Sequence, residues 1–169
     1  LYQQTPQSKH NFQFVLDSLA SKDTTKHTPL DLHIGSLIIR HGAVKYDKRY
    51  IASKSGVFSP AHISISDLST HIIANHITDD AINLHIKKLA FHDKSGLQLN
   101  SLSFKLDANK REASLKEFEL QLPHSDITLG DIHATYRFDN GKLVMPSLQY
   151  SGSIEQSKIT LSDIACLLP

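Results

Sequence analysis

The chain has no tryptophan, one methionine and one cysteine, Cys166, in 169 residues. A lone cysteine excludes an intramolecular disulfide and any zinc site built from thiolates. It does not fix the compartment, because a periplasmic protein is not obliged to use disulfides. A glycosidase would need two facing carboxylates in a cleft with aromatic platforms, and the absence of tryptophan weighs against it. Charge of one sign is missing as well. Lys plus Arg is 18 and Asp plus Glu is 17, a net charge of +1. That balance argues against an electrostatic binder of nucleic acid. Seven glycines and six prolines are too few for a low-complexity chain. No apolar run reaches the ~18 residues of a membrane span, and no basic n-region with an apolar h-region marks a signal peptide. The chain opens at Leu1 without a Met and stops at Pro169, and is read as a section of a longer protein that carries its anchor elsewhere.

What is present is a hydrophobic fraction of 40%, enough for one domain with a core. Phe12, Val15, Leu16 and Leu19 recur at helical spacing and predict one short amphipathic helix over residues 10–21. A polar, Thr-rich linker follows and closes at Pro29. Residues 1–29 therefore read as an N-terminal polar segment, helix and linker, and 30–169 as a β domain. From Leu30 onward apolar and polar residues alternate with period two, as on strands with one buried face.

The alternation has an internal repeat, Φ-x-Φ-x-x-Φ-x-Φ, with Φ mostly Leu, Ile or Phe. Copies run through Leu32/Ile34/Leu37/Ile39, Leu84/Ile86/Leu89/Phe91 and Leu97/Leu99/Leu102/Phe104. Ala113/Leu115/Phe118/Leu120, Ile127/Leu129/Ile132/Ala134 and Leu143/Met145/Leu148/Tyr150 continue it. Weaker copies start at Ile63 and Ile159. The double x carries the physical information. Strict period two would send the second Φ-x-Φ to the opposite face, and one extra residue restores the facing, as a β-bulge or a tight turn does. Eight such units side by side would form a sheet roughly 38 Å wide. Turn signals separate them: Asp79-Asp80, Asp93–Gly96, Ala108–Arg111, Pro123–Asp126, Asp139–Gly141 and Ser151–Ser153. Arg40-His41-Gly42 reads as a further turn between strands 32–39 and 43–47. The expected fold is all-β: a long, curved antiparallel sheet of hairpins forming an open, taco-like groove, with one N-terminal helix.

The stretches 30–49 (LDLHIGSLIIRHGAVKYDKR) and 84–107 (LHIKKLAFHDKSGLQLNSLSFKLD) resemble the repeat units of the AsmA-like superfamily. Within it the likeness is to the TamB-type (translocation and assembly module) envelope proteins found in Bacteroidetes. It covers roughly residues 11–166 and rests on the pattern, with Gly42, Tyr46 and Asp47 as its distinctive residues. The resemblance implies a segment of an inner-membrane-anchored protein that crosses the periplasm. It also implies a β-groove that shields phospholipid acyl chains during lipid transport and outer-membrane biogenesis, with an outer-membrane β-barrel as partner of the parent protein. No cofactor, catalytic residue or metal ligand comes with it. The lining expected for the groove is Leu84, Ile86, Leu89, Phe91, Leu97, Leu99, Leu102, Phe104, Leu115, Phe118, Leu120, Ile127, Leu129, Ile132, Leu143 and Met145. An excised section would also be open to edge-to-edge self-association. The alternative is a β-sandwich or adhesin-like module whose apolar faces pack on each other.

The remaining chemistry points elsewhere only weakly. The 11 histidines are scattered, and His33 and His85 share one outward repeat slot. His92-Asp93, His124-x-Asp126 and Asp131-x-His133 are the pairs a metal could use, but no spacing supplies a third and fourth ligand, so no metal is expected. G-x-S-x-G, P-loop and G-x-G-x-x-G motifs are absent, and no enzyme is expected. Lysines on the polar faces read as solubility, with Lys110-Arg111 as a turn that could meet an anionic headgroup.

Overall fold

In a computed structural model of the chain, residues 1–9, 11, 31–139 and 141–168 are described. The helix expected over 10–21 falls almost wholly outside them. Strands β1 (Tyr2–Gln3), β2 (Asp31–Lys48), β3 (His62–Thr78), β4 (Ala81–Asp93), β5 (Gln98–Asn109) and β6 (Glu112–Gln121) come first. They are followed by β7 (Asp126–Leu129), β8 (Ile132–Thr135), β9 (Phe138–Asp139), β10 (Lys142–Leu143) and β11 (Gln149–Ser151). A short helix α1 (Leu161–Ile164) closes the sequence of elements.

The fold is all-β: one large open sheet whose long strands pair as an antiparallel meander from β2 to β6. β7 and β8 share the far edge of β6, and β11 pairs with β8. At the other edge β1 pairs with the end of β2, in parallel. β9 and β10 form a separate two-stranded hairpin.

The double x is a bulge in each of the five long strands. Ladder register shifts fall at Gly35-Ser36 on β2, Ser66-Asp67 on β3, Lys87-Lys88 on β4, Asn100-Ser101 on β5 and, one residue on from the double x, Glu117-Phe118 on β6. Each shift sets one extra residue against the neighbouring strand, which returns the apolar side chains to a single face and bends the strand. Repetition of that bend curves the sheet.

Three expectations need correction. Arg40-His41-Gly42 is no hairpin turn but a further bulge inside the unbroken strand β2, with His41 in the left-handed region at φ 52°. The copy starting at Leu143 is split among β10, a 3-10 turn over Met145–Ser147 and β11. The copy starting at Ile159 is α1 and the 3-10 turn after it. Six copies of the repeat, not eight, therefore build the sheet. In the sixth, the double x at Gly130-Asp131 is the break between β7 and β8.

Beyond β11 the chain runs back along β7 in irregular form. Isolated bridges join Asp126 to Lys158 and Leu129 to Ile154. A Cβ on Gly130 would overlap the Ser153 hydroxyl as it is placed, so the two segments cross closely there. This segment covers an edge that would otherwise present unpaired backbone groups.

Candidate functional site

Cross-strand pairing orders the apolar face into rows. One row reads Ile34, Ala74, Leu84, Leu106, Leu115, Ile132 from β2 to β8. The next reads Leu37, Ile72, Ile86 and Phe104 to Phe118 and Leu129, with the two phenylalanine rings stacked at 6.3 Å between centroids. A third reads Ile39, Thr70, Leu89, Leu102, Leu120, Ile127. Six strands at about 4.8 Å spacing make a face about 24 Å across.

No second layer covers this face among the described residues. Only Ala61, Ala74 and Leu99 are buried apolar side chains there, and the lining leucines, isoleucines and phenylalanines are mostly half-buried. The described residues do not form the two-layer core of a β-sandwich. Within the three rows the one polar side chain, Thr70, is buried, and its hydroxyl donates to the Lys88 carbonyl at 3.0 Å. The face therefore offers dispersion contact and no directional polar anchor.

Of the residues expected to line it, Leu84, Ile86, Leu89, Phe91, Leu99, Leu102, Phe104, Leu115, Phe118, Leu120, Ile127, Leu129 and Ile132 lie on the strands of the sheet. Leu97 sits in the β4–β5 turn, where its carbonyl accepts the Asp93 N–H. Leu143 and Met145 stand off the large sheet and are exposed. Ile34, Leu37 and Ile39, apolar positions of the first repeat outside the expected lining, belong to the rows, and so do Ile72, Ala74 and Leu106, which the repeat does not include. The signal was present: β3 and β5 simply continue the alternation past Thr70 and Phe104.

The opposite face is polar and holds the charged bulge residues. His41 and Asp67, both at positive φ on neighbouring strands, join at 2.5 Å. Glu117, also at positive φ, takes the Lys105 ammonium at 2.6 Å, and that contact holds its pKa below the ordinary value. Burial and the nearby Lys105 charge push the pKa of His85 down. Lys110 is paired with Asp80, so the Lys110-Arg111 turn is not an idle cation pair.

The three histidine–aspartate pairs marked in the sequence go to other partners. Asp93 accepts the Ser64 and Ser95 N–H groups at 2.9 Å each. His124 bonds Asp163 rather than Asp126, and His133 lies 3.8 Å from Glu112. At the β2–β3 loop end a polar cleft of about 400 Å³ is lined by Lys45, Lys54, Lys94, Asp47 and His62, among others. His62 Nδ1 lies 2.6 Å from Asp47, and the buried Nε2 has no hydrogen-bond partner among the described residues.

No family model, curated protein or solved structure matches the chain.

Proposed function

We propose that this chain is a section of a periplasmic bridge between membranes, whose curved apolar face shields phospholipid acyl chains from water. The observation that carries the proposal is the continuous apolar face across six adjacent strands, on which none of the described residues forms a second layer. Wet apolar surface costs about 25 cal/mol per Å², and a hydrocarbon chain laid on it recovers roughly 0.8 kcal/mol per buried CH₂. A face with no free polar anchor suits a conduit, because contact of this kind is non-directional and lets a chain slide. The resemblance to TamB-type repeats supports the same reading and implies a parent protein anchored at the inner membrane. An outer-membrane β-barrel would be its partner. Lipid transport in outer-membrane assembly needs neither a catalytic residue nor a cofactor in this section.

The test is phospholipid co-purification, read by mass spectrometry, together with saturable binding of a phospholipid bearing a fluorescent acyl chain. Leu102→Glu and Phe104→Glu keep the β circular-dichroism signature and abolish lipid binding. Unfolding by Leu102→Glu would make the stripe a packed core and end the proposal. Wild-type-like lipid binding in both variants would end it equally.

A further inference from the structure

The histidines gain a role at one corner of the polar face. Asp31 and His33 stand two residues apart on β2, so their side chains leave the sheet on the same side. Opposite them β3 is bulged: Leu32 pairs with Ile77 and Ile34 with Ala74, two steps on β2 against three on β3. The extra residue brings His76 beside His33, with ring centroids 5.0 Å apart. The bulge is braced from its other side, where the Asn75 amide donates to Asn83 at 2.8 Å and Asn83 in turn bonds Asp107.

Three donor atoms converge as a result. His33 Nε2 lies 2.9 Å from Asp31 Oδ1 and 3.4 Å from His76 Nδ1, and His76 Nδ1 lies 3.8 Å from the same Asp31 oxygen. A tetrahedral ion with bonds of about 2.0–2.1 Å sets its donor atoms about 3.3–3.4 Å apart. The three separations straddle that value and describe one face of such a tetrahedron. Two ring nitrogens aimed at each other can share only one proton, whereas a cation between them uses both lone pairs. Elsewhere the His–carboxylate contacts are single pairs: His41–Asp67, His62–Asp47, His124–Asp163 and His133–Glu112. Among the described residues this is the one group of three that meets the geometry of a metal site.

We propose that Asp31, His33 and His76 bind a divalent transition-metal ion of the zinc class. All three side chains are exposed, so water completes the coordination. The ion would tie the start of β2 to the end of β3, a cross-link between residues 43 apart in the chain at the open end of the β2–β3 hairpin.

Calorimetric titration of zinc into the full chain tests this, with cobalt as a spectroscopic probe. One equivalent binds saturably, and cobalt gives the visible bands of a four-coordinate site. His33→Ala and His76→Ala each weaken binding at least as much as the ~10–100-fold loss that follows removal of a residue merely supporting a metal ligand. His92→Ala, at the other end of β4, changes nothing. Circular dichroism confirms that the variants stay folded, as the exposure of the three residues implies. Absence of saturable binding, or undiminished binding in the His33→Ala/His76→Ala double variant, would overturn the proposal.

Discussion

Asp163 shows how one carboxylate fixes a whole segment. It is buried, and it accepts the His124 N–H at 2.8 Å, the Ser125 hydroxyl at 2.7 Å and His124 Nδ1 at 2.9 Å. Ser125 Oγ in turn accepts the Thr160 N–H at 2.9 Å. This cluster pins α1 to the β6–β7 turn, and the Cys166 carbonyl then accepts the Phe58 N–H from the β2–β3 loop at 2.8 Å. Burial opposes the charge of Asp163, yet bonds from Ser125 and His124 outweigh it and hold the pKa below its ordinary value of 3.8. Asp93 behaves alike: burial is outweighed by bonds from Ser95 and Ser64. In both cases the folded state binds fewer protons than the unfolded chain as pH falls toward 3.8. Their stabilisation is present above that value and is lost as pH drops through the lower folded values. Unfolding midpoints measured from neutral pH downward should therefore show a weaker neutral-pH stability and a flatter acid limb for Asp163→Asn than for the parent. None of this cluster was legible in the sequence, because His124 and Asp163 are 39 residues apart and only the fold joins them.

At the scale of the strand, the repeat was legible and its double x did mean a bulge. What local sequence could not separate is a bulge from a turn. Both can use a residue in the left-handed region, as His41 does here at φ 52°, and His41-Gly42 suits either. The partner decided it: β3, at 17 residues, is long enough to pair along nearly all 18 residues of β2. Gly42 sits where an added Cβ would meet the Ile39 side chain at 2.7 Å, which gives that distinctive glycine a steric reason. The left-handed bulge residues give a direct test. Asp67, at φ 51°, should tolerate glycine with little change, since the lost His41 contact is exposed and the backbone strain is relieved. Asp67→Val should destabilise by about 1–2 kcal/mol in urea unfolding, because a β-branched side chain fits that conformation poorly. The failure of the last two copies has a similar cause. Met145 is followed by Pro146, which fixes its own backbone and opens a 3-10 turn, and after Thr160 the chain folds into α1 under the hold of Asp163.

Over the whole molecule as described, stability resides in a long hydrogen-bonded ladder with one apolar face of half-buried side chains rather than in an enclosed core among the described residues. Burying a large apolar side chain fully is worth about 1.5–3 kcal/mol, and a half-covered one leaves no sealed cavity when truncated. Phe104→Ala should thus cost about 1–2 kcal/mol in urea unfolding, below the ~3–5 kcal/mol of a core phenylalanine. A loss in the core range would show that the face is covered.

The sequence by itself determined the strand content, the bulged repeat and most of the apolar rows, because side-chain alternation and the extra residue are local, covalent facts of the chain. It determined neither that the described residues leave the face without a second layer nor that Asp31, His33 and His76 meet. Both depend on which strand lies beside which, and in what register. Register here is the sum of several bulges on neighbouring strands, so a one-residue difference anywhere along β3 would carry His76 to the other face. Only the assembled sheet sets that sum.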